Sequence, residues 1–184
     1  MNTDIFDRLF DSDKTIESIV TICRSEAPLI SVLTLHLTCE SFLEAFISGR
    51  LDICDLFSNK PDNSDDVSFR MTFEHKNKLS QRLGMPRAAY DALFELNQIR
   101  NQFAHKLLHA EIPSDKTARI IDLVNSIKSA EIEIELSEEG IVYDPDNPDD
   151  SFTYRMSDQN TPAMVKLCIA YFSLFRRVAL KFAE

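Results

Sequence analysis

Arg100, Asn101 and His105 are the side chains whose types and spacing best suit chemistry in this chain. At about 100° per residue, Ala89, Ala92, Leu93, Leu96, Ile99, Phe103 and Leu107 fall on one apolar stripe of a helix, and Arg100 falls inside it. A guanidinium has five donors and does not lose its proton, so an arginine facing a core needs a carboxylate, a phosphate or water close by. Asn101 and His105, four residues apart, form a second polar patch on another face of the same helix. Arg100 and His105, five apart, point about 140° away from each other on an ideal helix. They converge only through the length of arginine, a local helix distortion or a dimer-related copy.

Two long helices must position these residues. The first covers 26–51, and its stripe reads Leu29, Val32, Leu33, His36, Glu40, Leu43 and Ile47, with a histidine and a glutamate in an apolar face. The second is the central helix, begun by Met85-Pro86, since proline is well placed in a first turn. Each helix carries charge where periodicity asks for a core residue, and the signs are opposite. The simplest solution packs them face to face, with Glu40 or Glu44 accepting a bidentate pair from Arg100. Neutralised in that way, Arg100 is unavailable to phosphate, and the string becomes a packing motif. His36 reads as a hydrogen-bonded core histidine. His109 reads as a surface residue near a helix C-terminus, where positive charge is favourable.

Low glycine, three residues in 184, and 3.6-residue periodicity predict an all-α antiparallel bundle of about five to six helices, in one domain over 1–184. Residues 4–10 give one helical turn or two. Residues 14–24 give a short amphipathic helix with Asp13 as N-cap and Ile16, Ile19, Val20 and Cys23 inward. Residues 52–67 have loop chemistry. The acidic run at 62–66 lacks the glycine and closing glutamate of a calcium loop and does not suggest metal. Residues 68–83 resume as a helix that Gly84 can terminate, with His75 and Lys76 on its polar side. Ser114 reads as the N-cap of a helix through Ile127. From Thr161 a last helix carries Met164, Leu167, Cys168, Tyr171, Phe175, Val178 and Phe182 at helical spacing, as core or subunit interface. Between these two helices, Glu131-Ile132-Glu133-Ile134-Glu135-Leu136 alternates strictly, and Ile141-Val142-Tyr143 and Phe152-Thr153-Tyr154 flank a Pro/Asp/Asn turn. Either a small antiparallel hairpin or meander around 131–156 or an ordered irregular loop fits that pattern.

Charge narrows the function classes. The net charge is -10, and 131–160 holds ten acidic residues against Arg155 alone, leaving the remaining chain nearly neutral. Such a chain lacks the Lys/Arg footprint of a general duplex binder, and no short glycine-bearing turn leads into a basic recognition helix, so sequence-specific DNA reading is not expected. No P-loop, G-x-G-x-x-G, H-E-x-x-H or serine elbow appears, and the expectation is no cofactor and no metal. Four cysteines without C-x-x-C spacing read as free buried thiols in a reducing cytosol. No signal peptide is seen at the N-terminus, and no apolar run approaches the roughly 20 residues of a membrane span. A soluble, cytoplasmic protein is expected.

The residues Ser68-Phe69, Leu83-Gly84, Leu96 and Ile99-Arg100-Asn101-x-Phe103-Ala104-His105, in that order and spacing, resemble the mannitol operon repressor (MltR-like) family. That family lies within the higher eukaryotes and prokaryotes nucleotide-binding (HEPN) superfamily, whose R-x4-H signature is met at Arg100 and His105. The resemblance implies a HEPN-like helical bundle, homodimerisation and a role in transcriptional regulation. Because the chain has no DNA reader, that role points to a regulatory protein partner or a ligand. The acidic 131–160 segment offers a surface for a basic partner, the alternative being a solvated loop. By similarity to the nuclease branch of the superfamily, the alternative is a metal-independent endoribonuclease with a composite dimer site. His105 would then act as general base or acid at the ribose 2'-hydroxyl and leaving oxygen, Arg100 would stabilise the phosphorane charge, and Asn101 would orient one of them, with RNA as substrate.

Overall fold

The computed structural model describes residues 1–54, 56–57, 70–105, 111–128, 135–144 and 151–183. The features expected at Ser68-Phe69, 62–66, Leu107, His109 and 131–134 lie outside the described residues. Among the described residues are seven α-helices and two strands: α1 (Thr3–Leu9), α2 (Ser12–Arg24), α3 (Pro28–Leu51), α4 (Phe73–Arg82), α5 (Arg87–His105), α6 (Ser114–Asn125), β1 (Gly140–Tyr143), β2 (Phe152–Arg155) and α7 (Ala163–Ala183). The fold is a mainly helical bundle with one small antiparallel hairpin.

Local chemistry fixes the helix ends. The Asp11 carboxylate accepts from the Asp13 and Lys14 amides at 2.9 and 3.4 Å, so Asp11 rather than Asp13 caps α2. On that helix Ile22 is buried, whereas Ile16, expected inward, is exposed. Thr72 caps α4 by accepting from the His75 amide at 3.3 Å, which starts this helix later than its sequence pattern suggests. Gly84, at φ +103°, lets the chain leave α4 in a conformation that L side chains resist. Ser114 is the first helical residue of α6 rather than its cap, and the cap position is Pro113, without a side-chain bond.

At the centre is α3, in contact with α1, α2, α4, α5 and α7. Its fully buried face is Val32, Leu35, Cys39, Phe42, Leu43 and Phe46. Of the expected stripe, Val32, His36, Leu43 and Ile47 are buried, Leu29 and Glu40 lie at the edge of the core, and Leu33 is exposed. A helix that is apolar almost all round gives periodicity little to work with, and neighbouring helices decide which side turns in. Phe42 stacks on Phe175 of α7 at 4.4 Å between ring centroids, and the Tyr171 hydroxyl donates to the Ala92 carbonyl at 2.5 Å, so α7 closes over both α3 and α5. Among the described residues α3 is also the one helix long and apolar enough to cross a membrane, and 61% of its apolar window is buried inside the bundle.

The hairpin pairs Gly140 with Arg155 through to Tyr143 with Phe152. A Cβ at Gly140 would collide with the Tyr154 carbonyl, which explains the glycine. Beside the hairpin, Glu139 ties it to α7, accepting from Ser173 Oγ at 2.8 Å, Arg176 Nη2 at 2.8 Å and Arg177 Nη2 at 3.2 Å. Arg177 is 1% exposed and also donates to the Ile127 carbonyl at 3.0 Å.

Candidate functional site

Three helices build the site, and their directions decide which side chains can meet. His36 lies against Phe73, Glu40 and Glu44 against Lys76, and the Arg50 guanidinium donates to the Leu83 carbonyl, so α3 and α4 run parallel. The turn at Leu83–Pro86 reverses the chain, and Asn77 Nδ2 donates back to the Tyr90 carbonyl at 2.9 Å. Consequently α5 runs antiparallel to α3. His36 and Asn97 mark the crossing, with the neutral ring donating from Nε2 to Asn97 Oδ1 at 3.2 Å.

That direction overturns the expected pairing of Arg100 with Glu40 or Glu44. One turn beyond Asn97 on α5 leads toward Leu33 and the start of α3, whereas Glu40 lies one turn the other way. Lys76 takes both carboxylates instead, donating from Nζ to Glu40 Oε1 at 2.6 Å and Glu44 Oε1 at 2.5 Å. It is 4% exposed, not on the polar side of its helix. Burial works against its charge, but the hydrogen bonds to the two glutamates outweigh that and raise its pKa. A signal for this residue was present in the sequence: Phe73, Lys76, Asn77 and Ser80 recur at helical spacing, and all four are buried. Only the first is apolar, so the stripe reads as a surface.

Arg100 is half-buried, with Nη1 donating to Asn101 Oδ1 at 3.1 Å. Its Nε is buried and has no hydrogen-bond partner among the described residues. The guanidinium therefore meets an amide rather than a carboxylate. Asn101 and His105 are exposed and, with Gln98 and Gln102, line a shallow depression of about 340 Å³ on the outer side of α5. Thus Arg100 and Asn101 are in contact, Asn101 and His105 share one surface, and Arg100 reaches that surface only through Asn101. The angular separation read from the sequence persists within one chain.

Beside this depression, sequence reasoning missed a second polar group. Glu95 is buried and accepts from Lys116 Nζ at 2.7 Å and Arg119 Nε at 3.3 Å, while Lys116 also donates to Gln98 at 2.5 Å. These contacts fasten α6 to α5 beside the motif. Along α3, Ile30, Leu33 and Leu37 stand exposed at i, i+3 and i+7, Leu37 at 62% and Leu33 at 37%. No group of three or more His, Cys, Asp or Glu that could hold a metal occurs among the described residues.

His36 is where expectation and structure agree most closely. It is 7% exposed and its ring lies 4.1 Å from that of Phe73. Burial lowers its pKa first; Asn97 and Glu40 pull the other way, and Arg100 and Lys76 add to the lowering. The unfolded chain then takes up this proton more readily than the folded one. Stability is fully present above about 6.5 and falls as the pH drops from there through the lower folded value. Urea unfolding between pH 7 and 5 should show that loss, reduced in His36→Gln; identical slopes in the two proteins would assign it elsewhere.

No protein-family model, curated protein or solved structure matches the chain.

Proposed function

We propose that this chain is a regulatory interaction protein of the MltR-like type, working through contacts on the α3/α5 face with a second copy of itself and a protein partner rather than by reading duplex DNA. The observation that carries this reading is the exposed apolar stripe Ile30, Leu33 and Leu37 on α3, the helix that meets α5 through His36 and Asn97. Large apolar side chains in a row, bordered by polar groups, are what an interaction surface presents. The string from Ile99 to His105 supports the family and, with it, the HEPN-like character of the bundle. Sedimentation equilibrium provides the test. The parent protein is expected to be a dimer and Leu33→Glu/Leu37→Glu a monomer of unchanged helical content. A monomeric parent overturns this use of the face.

A second reading, the metal-independent endoribonuclease, is favoured by the Asn101 amide, rather than a carboxylate, meeting Arg100 among the described residues. A half-buried cation that among the described residues is held by an amide can meet a phosphate, and a dimer-related copy would supply the convergence that one helix forbids. Arg100→Met separates structure from function: removing a buried, unbonded donor should leave stability within about 1 kcal/mol of the parent. Incubation of the parent with mixed unstructured RNAs and tRNAs in EDTA discriminates the two readings. The regulatory reading expects no cleavage. Cleavage that disappears in Arg100→Met and His105→Ala, both still folded, would replace it with the nuclease.

A further inference from the structure

Helices α2 and α3 are joined by a short connection and run antiparallel: Ser31 Oγ donates to the Ile22 carbonyl at 3.5 Å, and at the other end Phe10 meets Phe42 at 5.6 Å between ring centroids. Between them lies a groove of about 300 Å³. One wall is Asp11, Lys14, Thr15 and Ser18, and the other is Thr34, Leu37, Thr38 and Ser41. Each set recurs at i, i+3, i+4 and i+7, the spacing of a helix face that ordinarily fills an interhelical contact with apolar side chains. Here the facing sides carry mostly short hydroxyls, and space remains between them. In the antiparallel alignment Thr15 stands opposite Thr38, and Asp11 opposite Ser41. Leu9 and Phe10, where α1 ends, add an apolar patch beside Asp11.

The hydrogen bonds of the two walls decide what the groove can hold. Thr15 Oγ1 donates to the Asp11 carbonyl at 2.7 Å, Ser18 Oγ to the Lys14 carbonyl at 2.8 Å and Thr38 Oγ1 to the Thr34 carbonyl at 2.9 Å. A hydroxyl has one proton and two lone pairs, so these oxygens are left as acceptors. Asp11 Oδ1 caps α2, and Oδ2 lies 3.7 Å from Lys14 Nζ, whose side chain is 81% exposed. An anion entering here would meet lone pairs and a carboxylate, whereas a cation with several donors would find partners. We propose that the α2/α3 groove binds a small primary ammonium carrying an apolar arm. The ammonium donates to Asp11 Oδ2 and to the Thr15 and Thr38 oxygens, and the arm lies on Leu9, Phe10 and Leu37. Thr38 is 7% exposed, and Phe10 is held by Phe175 at 5.3 Å between ring centroids, so both parts of the site stand ready before a ligand arrives. The volume is at the small end of ligand pockets, which suits a compact amine.

Calorimetric titration of the full chain with phenethylammonium chloride is the test, beside phenethyl alcohol and phenethyltrimethylammonium. The primary ammonium is expected to bind at a single site and to raise the melting temperature as its concentration rises. The alcohol lacks the charge and the trimethyl compound lacks the donors, so each should bind about tenfold more weakly or worse. Thr15→Val/Thr38→Val keeps the shape of the walls without the acceptors, and Asp11→Asn keeps a capping oxygen without the charge. Each variant should weaken the ammonium about tenfold while helical content is unchanged. A parent that binds the primary ammonium no better than the alcohol overturns the proposal, and so does equal binding by the parent and both variants. The first comparison is made on the parent and holds even if a variant folds poorly. Leu37 also belongs to the stripe proposed for self-association and is left unchanged throughout, so a monomeric parent that binds the ammonium sinks that use of the stripe and supports this site.

Discussion

Glu139→Ala is expected to lower the free energy of unfolding by about 3 to 5 kcal/mol, measured by urea denaturation at neutral pH. The carboxylate sits between two arginines and a serine: Ser173 Oγ and Arg176 Nη2 at 2.8 Å, and Arg177 Nη2 at 3.2 Å. Arg177 is 1% exposed and cannot relieve the loss by turning to water. Removing one partner of a buried pair leaves the other charge desolvated, which costs far more than the pair contributes over an apolar replacement. Glu139→Gln should cost less, because an amide oxygen still accepts from Ser173 and Arg177 while the charge is lost. The same residue precedes β1, and the Met156 amide donates to its carbonyl at 2.9 Å. Loss of the side-chain anchor should therefore also loosen the hairpin, visible as faster amide exchange at Ile141 and Tyr154. A Glu139→Ala protein within about 1 kcal/mol of the parent would show that Arg177 is held well enough by its other contacts.

Where patterning was strong, the fold was legible in the sequence. On α5 the apolar stripe Ala89, Ala92, Leu93, Leu96, Ile99 and Phe103 is buried throughout, and on α7 Met164, Leu167, Cys168, Tyr171, Phe175 and Val178 are buried. The strands flanking the Pro/Asp/Asn turn pair as antiparallel neighbours. Two helices misled for opposite reasons. In α3 apolar residues lie on every side, so the expected stripe caught Val32, Leu43 and Ile47 but took Leu33 for core and left out Leu35, Cys39 and Phe42. In α4 the buried stripe is mostly polar, and Lys76, Asn77 and Ser80 look like a solvated face. Hydrophobic periodicity reports contrast between faces, and neither helix has the usual contrast.

The site was legible in its parts but not in its partners. The sequence placed Arg100 inside the apolar stripe and Asn101 with His105 on another face; the structure leaves Arg100 half-buried and Asn101 and His105 exposed. What composition could not supply was helix direction. A glutamate on one helix and an arginine on the next look complementary until the chain reversal at Gly84 makes α5 antiparallel to α3. Arg100 then moves toward Leu33, and Glu40 is left to α4. That shift has a functional consequence, because among the described residues the Arg100 guanidinium meets the Asn101 amide where a neutral salt bridge was expected.

Lys76→Met should cost about 3 kcal/mol at neutral pH, toward the low end for a buried pair because Glu40 and Glu44 keep roughly a third of their surface in water. In the parent, the raised Lys76 pKa means that its contribution is fully present below about 10.5 and is lost only as the pH climbs through the higher folded value. In the variant two carboxylates face each other with no cation between them. Changing both as well, in Lys76→Met/Glu40→Gln/Glu44→Gln, should recover most of the loss, since the cost arises from stranded charge rather than from a missing contact. Adding Arg100→Met to Lys76→Met then tests the geometry of the whole site. If α5 could bring Arg100 to the freed glutamates, the arginine would partly rescue Lys76→Met, and removing it would cost more there than in the parent. Antiparallel packing forbids that meeting, so the two changes should add to within about 0.5 kcal/mol. A coupling well beyond that would mean that Arg100 can be drawn inward and neutralised, leaving it unavailable to any phosphate.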